Sequence, residues 1–149
     1  MQAYDLIVIG SGPGGQRAAI QAAKSGKRVA MIEKRAGVGG VCTNTGTIPS
    51  KTMREAVLHL SGFYYQNFYG ANNHGKEIVT MADLNYRVHR VIENEVAVIQ
   101  DQLQRNGVEL MHGAGSFVDA HHVMVENGGG RNELEGANIL IATGYMALR

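Results

Sequence analysis

Leu6 to Ile9 is an unbroken apolar run, mostly β-branched, and reads as a buried strand. Gly10 to Gly15 then turn the chain sharply. From Gln16 to Ser25 the pattern becomes alanine-rich and helical, with Ala18, Ala19, Ala22 and Ala23 supplying a small packing face. Gly26 closes that helix, and Arg28 to Ile32 reads as a second buried strand ending in Glu33. Gly37 to Lys51 is rich in glycine and small polar residues, which predicts a loop. Ser50, or the Pro49 turn before it, opens a helix running toward Tyr69, apolar at Met53, Val57, Leu58 and Leu60.

Gly70 to Lys76 turns polar and reads as a surface loop. Thr80 or Asp83 starts a packing helix in which Leu84, Val88, Val91, Ile92, Val96, Ile99 and Leu103 recur at helical spacing until Asn106-Gly107 ends it. Val108 to His112 reads as a third parallel strand. Short alternating runs at Ser116 to Val118 and His122 to Glu126, a turn at Asn127 to Gly130 and a return strand at Glu133 to Leu134 predict a small antiparallel meander. Asn138 to Gly144 gives a last buried strand ending in a tight turn. The fold class expected is α/β: a Rossmann-like parallel sheet with helices and a small antiparallel β-meander. At 149 residues a single core is the default.

The first turn carries the chemistry. Gly10, Gly12 and Gly15 have the dinucleotide spacing, in which the first glycine turns the chain, the second admits a pyrophosphate and the third lets helix and strand pack closely. The helix start offers unpaired N–H groups and a positive dipole end to phosphates. Glu33, about 20 residues beyond the glycines, can accept both hydroxyl hydrogens of an adenosine ribose. Strand, helix, second strand and terminal acid all agree. Lys34 and Arg35 would suit a ribose phosphate, which the acid would repel, and a solvated turn explains them more simply.

A formal net charge of +1 and the absence of a basic block give no electrostatic case for nucleic acid or an acidic membrane surface. The apolar runs are too short to span a bilayer. The first strand follows the N-terminus directly, so neither a signal nor a transit peptide is expected. One cysteine excludes an internal disulfide framework, and a reducing, cytoplasmic setting fits. His121-His122 would face opposite sides of a strand, and His59, His74, His89 and His112 show no ligand spacing, so no metal site is expected.

In the second glycine-rich stretch, Gly37-Val38-Gly39-Gly40-Val41-Cys42-Thr43-Asn44-Thr45-Gly46-Thr47-Ile48-Pro49-Ser50-Lys51, the sequence resembles the flavin-dependent pyridine nucleotide-disulfide oxidoreductases, the group containing dihydrolipoamide dehydrogenase and glutathione reductase. In that family this stretch lies along the isoalloxazine ring of FAD and carries two cysteines separated by four residues. Here the first is Cys42 and the second position is Thr47. A dithiol relay needs two sulfurs, so reduction of a disulfide substrate through this loop is disfavoured. The threonine resembles the soluble transhydrogenase branch, which passes hydride between NADPH or NADH and the other nicotinamide through FAD.

The resemblance implies FAD contacts at Gly10, Gly12, Pro13, Gly14 and Gly15, at Glu33 and Lys34, at Gly40, Cys42, Thr47 and Lys51, and at Gly115, Thr143 and Gly144. Thr47 and Lys51 are the flavin-facing candidates, the lysine near the N5 edge, where a cation favours the anionic reduced ring. Each has a simpler alternative: Cys42 as a small hydrophobe, Thr47 as filler beside the ring, Lys51 as a solvated helix lysine and Gly115 as a hairpin glycine. The tyrosines Tyr64, Tyr65 and Tyr69 could stack on a base or line a helix edge.

Residues 1–149 then correspond to the N-terminal segment of an FAD-binding domain in a flavoprotein with two dinucleotide-binding domains. These residues are expected to contain neither the NAD(P) nor the dimerisation domain of such a flavoprotein, and a second G-x-G-x-x-G is not found in them. Such a fragment is expected to have little turnover alone and to bind FAD weakly, and it could form a homo-oligomer that covers exposed sheet or helix. Two other readings stay open: a relative with a different acceptor, such as a quinone or a metal ion, and a non-catalytic nucleotide-binding module.

Overall fold

The computed structural model describes residues 2–62 and 80–145. The elements are β1 (Gln2–Ile9), α1 (Pro13–Lys24), β2 (Val29–Glu33), α2 (Gly40–Asn44), α3 (Thr47–Leu60), α4 (Met81–Arg105), β3 (Glu109–His112), β4 (Ala114–Phe117), β5 (His122–Asn127) and β6 (Gly130–Ile141). They form an α/β fold around one six-stranded mixed sheet of order β3-β2-β1-β6-β5-β4. The β3, β2, β1 and β6 strands run parallel, while β5 and β4 continue the sheet as an antiparallel meander.

Both faces of β1 and β2 are covered, which is why these strands read as continuous apolar runs. Val8, Val29 and Met31 point to one face and pack with Ala19 of α1 and with Ile99 and Leu103 of α4. Ile7, Ile9, Ala30 and Ile32 point to the other and pack with Val123, Val125 and Leu134 from β5 and β6. The meander therefore folds back over the parallel strands: a Cβ on Gly115 of β4 would sit 3.4 Å from both Ile9 and Ile32. Three layers result, with helices on one side of the parallel sheet and the meander on the other.

The α4 helix starts as its sequence predicts, through a capping box in which Thr80 accepts the Asp83 N–H and the Asp83 side chain accepts the Thr80 N–H. Its Leu84, Val88, Ile99 and Leu103 are buried, and α3 packs alongside. Four expectations are corrected. First, α1 begins at Pro13 rather than Gln16, because proline's missing N–H costs nothing in a first turn.

Second, the expected loop from Gly37 to Lys51 contains α2 and the start of α3. Asn44 donates from its side-chain amide to the carbonyls of Val38 and Gly40, which wraps this stretch into a helical turn, and Pro49 fits within the first turn of α3. Third, α3 does not run toward Tyr69: it ends at Leu60, followed by Gly62 in a left-handed conformation (φ +73°). Its buried residue is Ala56, and Val57 is exposed. Fourth, the return strand at Glu133 and the last strand at Asn138 are one twelve-residue strand, β6, whose end is not buried: Ile141 is 63% exposed. Tyr64, Tyr65, Tyr69, His74 and the expected loop from Gly70 to Lys76 lie outside the described residues.

Candidate functional site

The parallel strands β1, β2 and β6 end on the same side of the sheet. From β1 the chain moves to β2 and β3 on one flank, while β6 lies on the other, so the gap between β1 and β6 is a topological switch point where open α/β sheets hold ligands. Gly10 leaves β1 with φ +108°, and a side chain there would strike the Ala142 carbonyl oxygen at 2.3 Å. Its N–H donates to the Ile32 carbonyl at 2.8 Å, and the Ala142 N–H donates to the Ile9 carbonyl at 2.8 Å. Thus the turn is pinned to both neighbouring strand ends.

Gly15 serves packing: a Cβ there would lie 2.1 Å from the Gly10 carbonyl oxygen. By contrast, among the described residues nothing lies within 4 Å of a Cβ built on Gly12 or Gly14. Gly12 caps α1 without a side-chain hydrogen bond, and no acidic residue occupies the first turn. The positive end of the α1 dipole therefore meets open space bordered by glycine backbone, which fits an approaching diphosphate.

Glu33 ends β2 almost buried, 8% exposed, and its carboxylate turns toward the glycine turn. Its Oε2 accepts the Ser11 N–H at 3.0 Å and the Ser11 hydroxyl, and its Oε1 accepts the Arg35 N–H at 2.8 Å. Burial pushes the Glu33 carboxyl up, but these donors and the Arg35 charge outweigh it and hold the group below the ordinary glutamate range. Three of roughly four lone-pair directions are already taken, so room remains for about one hydroxyl rather than the two expected from sequence.

These groups open on a cavity of about 570 Å³. Gly10, Gly12, Pro13, Gly14, Glu33, Lys34, Gly40, Gly115, Thr143 and Gly144 line it, together with Ser11, Arg35 and Ile32. Lys34 and Arg35 are exposed at its rim. Gly40 approaches so closely that a Cβ there would lie 2.9 Å from the Gly12 Cα, which brings the α2 start against the glycine turn. Cys42, half-buried in α2, does not line this cavity, and neither do Thr47 and Lys51, both exposed on the first turns of α3. Gly15 stands behind the turn.

Sequence pattern does not single out Ser11, which is fully buried and bonded to Glu33. Its position between two glycines of the turn is the only sequence hint. Among the described residues no three His, Cys, Asp or Glu side chains converge as a metal site. His122 instead bonds Asp119, at 2.8 Å to either oxygen.

Residues 4–149 match the family described as pyridine nucleotide-disulphide oxidoreductase. The chain belongs to that family. It is 52% identical over 151 aligned positions to a protein of Mycobacterium tuberculosis named soluble pyridine nucleotide transhydrogenase, covering 100% of this chain and 32% of that protein. A protein of the same name from Pectobacterium atrosepticum is 42% identical, over 95% of this chain and 30% of its own length. Among solved structures, the Cu(II) complex of the HOCl-induced flavoprotein disulfide reductase RclA from Escherichia coli superposes with a TM-score of 0.83 at 26% identity, covering 100% of this chain and 30% of that one. The chain thus spans about a third of the length of the curated relatives it matches. No helix among the described residues is long and apolar enough to cross a membrane.

Proposed function

We propose that this chain is the FAD-binding portion of a soluble pyridine nucleotide transhydrogenase, a cytoplasmic oxidoreductase in which hydride passes between NADPH or NADH and the other nicotinamide. The observation that carries the reading is the uncapped α1 start facing open space at Gly12 and Gly14, with the charged Glu33 carboxylate beside it. In the proposal the first-turn N–H groups of α1 bind the diphosphate, Glu33 accepts a ribose hydroxyl, and Ile9, Ile32 and Ala114 offer the adenine half an apolar wall. Gly115, Thr143 and Gly144 border the path that the dinucleotide takes across the strand ends.

Bound FAD supplies a ring that takes up and releases hydride. Around that ring the proposal places Cys42, Thr47 and Lys51, with the lysine charge favouring the reduced, anionic form. A threonine cannot form a mixed disulfide, so this loop supports nicotinamide-to-nicotinamide transfer rather than disulfide reduction. Residues 1–149 act here as the N-terminal segment of the FAD-binding domain, and the nicotinamide site is supplied elsewhere in the full-length protein.

The test is the visible spectrum of the purified chain after FAD loading and gel filtration. Partial retention of flavin absorbance, as fits a weak site, with no bleaching by NADPH is the expected result. Rapid bleaching would contradict the proposal that the nicotinamide site lies outside these residues, and equal binding of FAD, NAD and ADP would favour a non-catalytic nucleotide module. Glu33→Ala should weaken FAD retention by about 1.5–3 kcal/mol, the range for a hydrogen bond to a charged group.

A further inference from the structure

Ser11 is the link between the ribose-side acid and the stretch that leads into α2. Its Oγ donates to Glu33 Oε2 and accepts the Gly39 N–H at 3.1 Å, and the Ser11 carbonyl also receives the Gly39 N–H at 3.1 Å. The Gln16 side-chain amide donates to that same carbonyl at 2.6 Å, which fixes the peptide in place. Ser11 therefore supplies two of the three protein donors on Glu33, both to Oε2. Among the described residues Oε1 receives only the Arg35 N–H.

We propose that Ser11 is a positioning residue: it turns Glu33 so that Oε1 presents its remaining lone pair to one hydroxyl of the bound ribose, and it fastens the Gly39 peptide to the glycine turn. The proposal rests on the FAD reading above. Its chemistry follows from valence. A carboxylate with Oε2 saturated by a rigid serine cannot rotate to take a hydroxyl on each oxygen without giving up a bond already made. The same hydroxyl ties Glu33 to Gly39, so a ligand that pulls on the acid is coupled to the position of Gly40 against Gly12.

The donors from Ser11 favour the charged form of Glu33, and so does the Arg35 charge. Lys34 lines the same cavity, and His112 pairs with Glu33 across the β2–β3 ladder. Those three groups stay in place when Ser11 is changed.

The experiment follows the Glu33 side-chain carboxyl by carbon NMR in the ligand-free chain over acid pH, for the wild type, Ser11→Ala and Ser11→Cys. FAD titrations of the wild type, Ser11→Ala, Glu33→Gln and the double variant complete a cycle. The expected result is a Glu33 midpoint that rises in both serine variants. FAD affinity should fall about tenfold in Ser11→Ala, as for loss of the one hydrogen bond that the mispositioned Glu33 carboxylate no longer makes to the ribose, and change by no more than about twofold when Ser11→Ala is added to Glu33→Gln. An unmoved Glu33 midpoint in the serine variants, or the same tenfold loss in the Glu33→Gln background, overturns the proposal. Ser11→Cys, which fills the site with a somewhat larger side chain and a weaker donor, carries the titration if the alanine variant does not fold. If the midpoint moves but the wild type retains no FAD, the Ser11–Glu33 link stands and the FAD reading fails.

Discussion

Two adjacent glycines in α1 should respond oppositely to the same methyl group. In Gly15→Ala the new Cβ would lie 2.1 Å from the Gly10 carbonyl oxygen, about 1 Å inside the closest separation real Cβ atoms show. Gly10 cannot yield, because Ala142 blocks its other side and its N–H is bonded to Ile32. The α1 helix must therefore move away from β1, loosening Ala19 against Val8 and Met31 in the helix-side core. Overpacking of this kind costs about 1–3 kcal/mol, from which the better helix propensity of alanine recovers at most about 1 kcal/mol. The net expectation is a loss of about 1–2 kcal/mol. Gly14→Ala adds its methyl to open space, so the fold should gain up to about 0.5–1 kcal/mol while the methyl obstructs the diphosphate position. Urea denaturation of the ligand-free chains measures the first effect, and FAD titration the second. Equal stabilities for the two variants would refute the close packing of α1 on the turn.

Glu33, held below the ordinary glutamate range, contributes stability that is fully present above about pH 4.3 and is lost as pH falls through its lowered folded-state value; Glu33→Gln should remove that acid-side segment from a plot of urea midpoint against pH. Tyr4 is pushed up to about 12, first by burial and then by its hydrogen bond to Glu109 and that group's charge. Its contribution is present below the ordinary value of about 10 and is lost as pH rises toward 12. An ultraviolet tyrosinate titration should show a late-titrating component that disappears in Tyr4→Phe, at a stability cost of about 1 kcal/mol at neutral pH. Thr80→Ala removes the capping box of α4 and should cost about 1 kcal/mol in thermal unfolding.

The strands and the long helix were legible because their signals are local. Ile7 and Val8 alternate between two cores, and the apolar spacing of α4 from Leu84 to Leu103 survives intact. What pattern could not show depends on distant partners. β6 looks like two strands because Gly136 interrupts it, yet a Cβ there would lie 2.8 Å from Ile7 Cδ1, so the glycine marks tight packing rather than a turn. The helical start at Gly40 depends on contact with Gly12, and the saturation of Glu33 Oε2 depends on Ser11, 22 positions away. The glycine spacing and the terminal acid located one half of the candidate site. The cavity they form does not include Cys42, Thr47 or Lys51, whose proposed contacts with the flavin rest on the family resemblance.

Amide chemical shifts of the isotopically labelled chain, recorded as FAD is added, test the central claim most directly. The account predicts that the largest changes fall on the amides from Gly10 to Gly15 and on Glu33, Gly39 and Gly40, with the far end of the sheet around Gln2 and Arg131 unmoved. Shifts confined to other surfaces, or none at saturating FAD, would contradict a dinucleotide seated on the glycine turn.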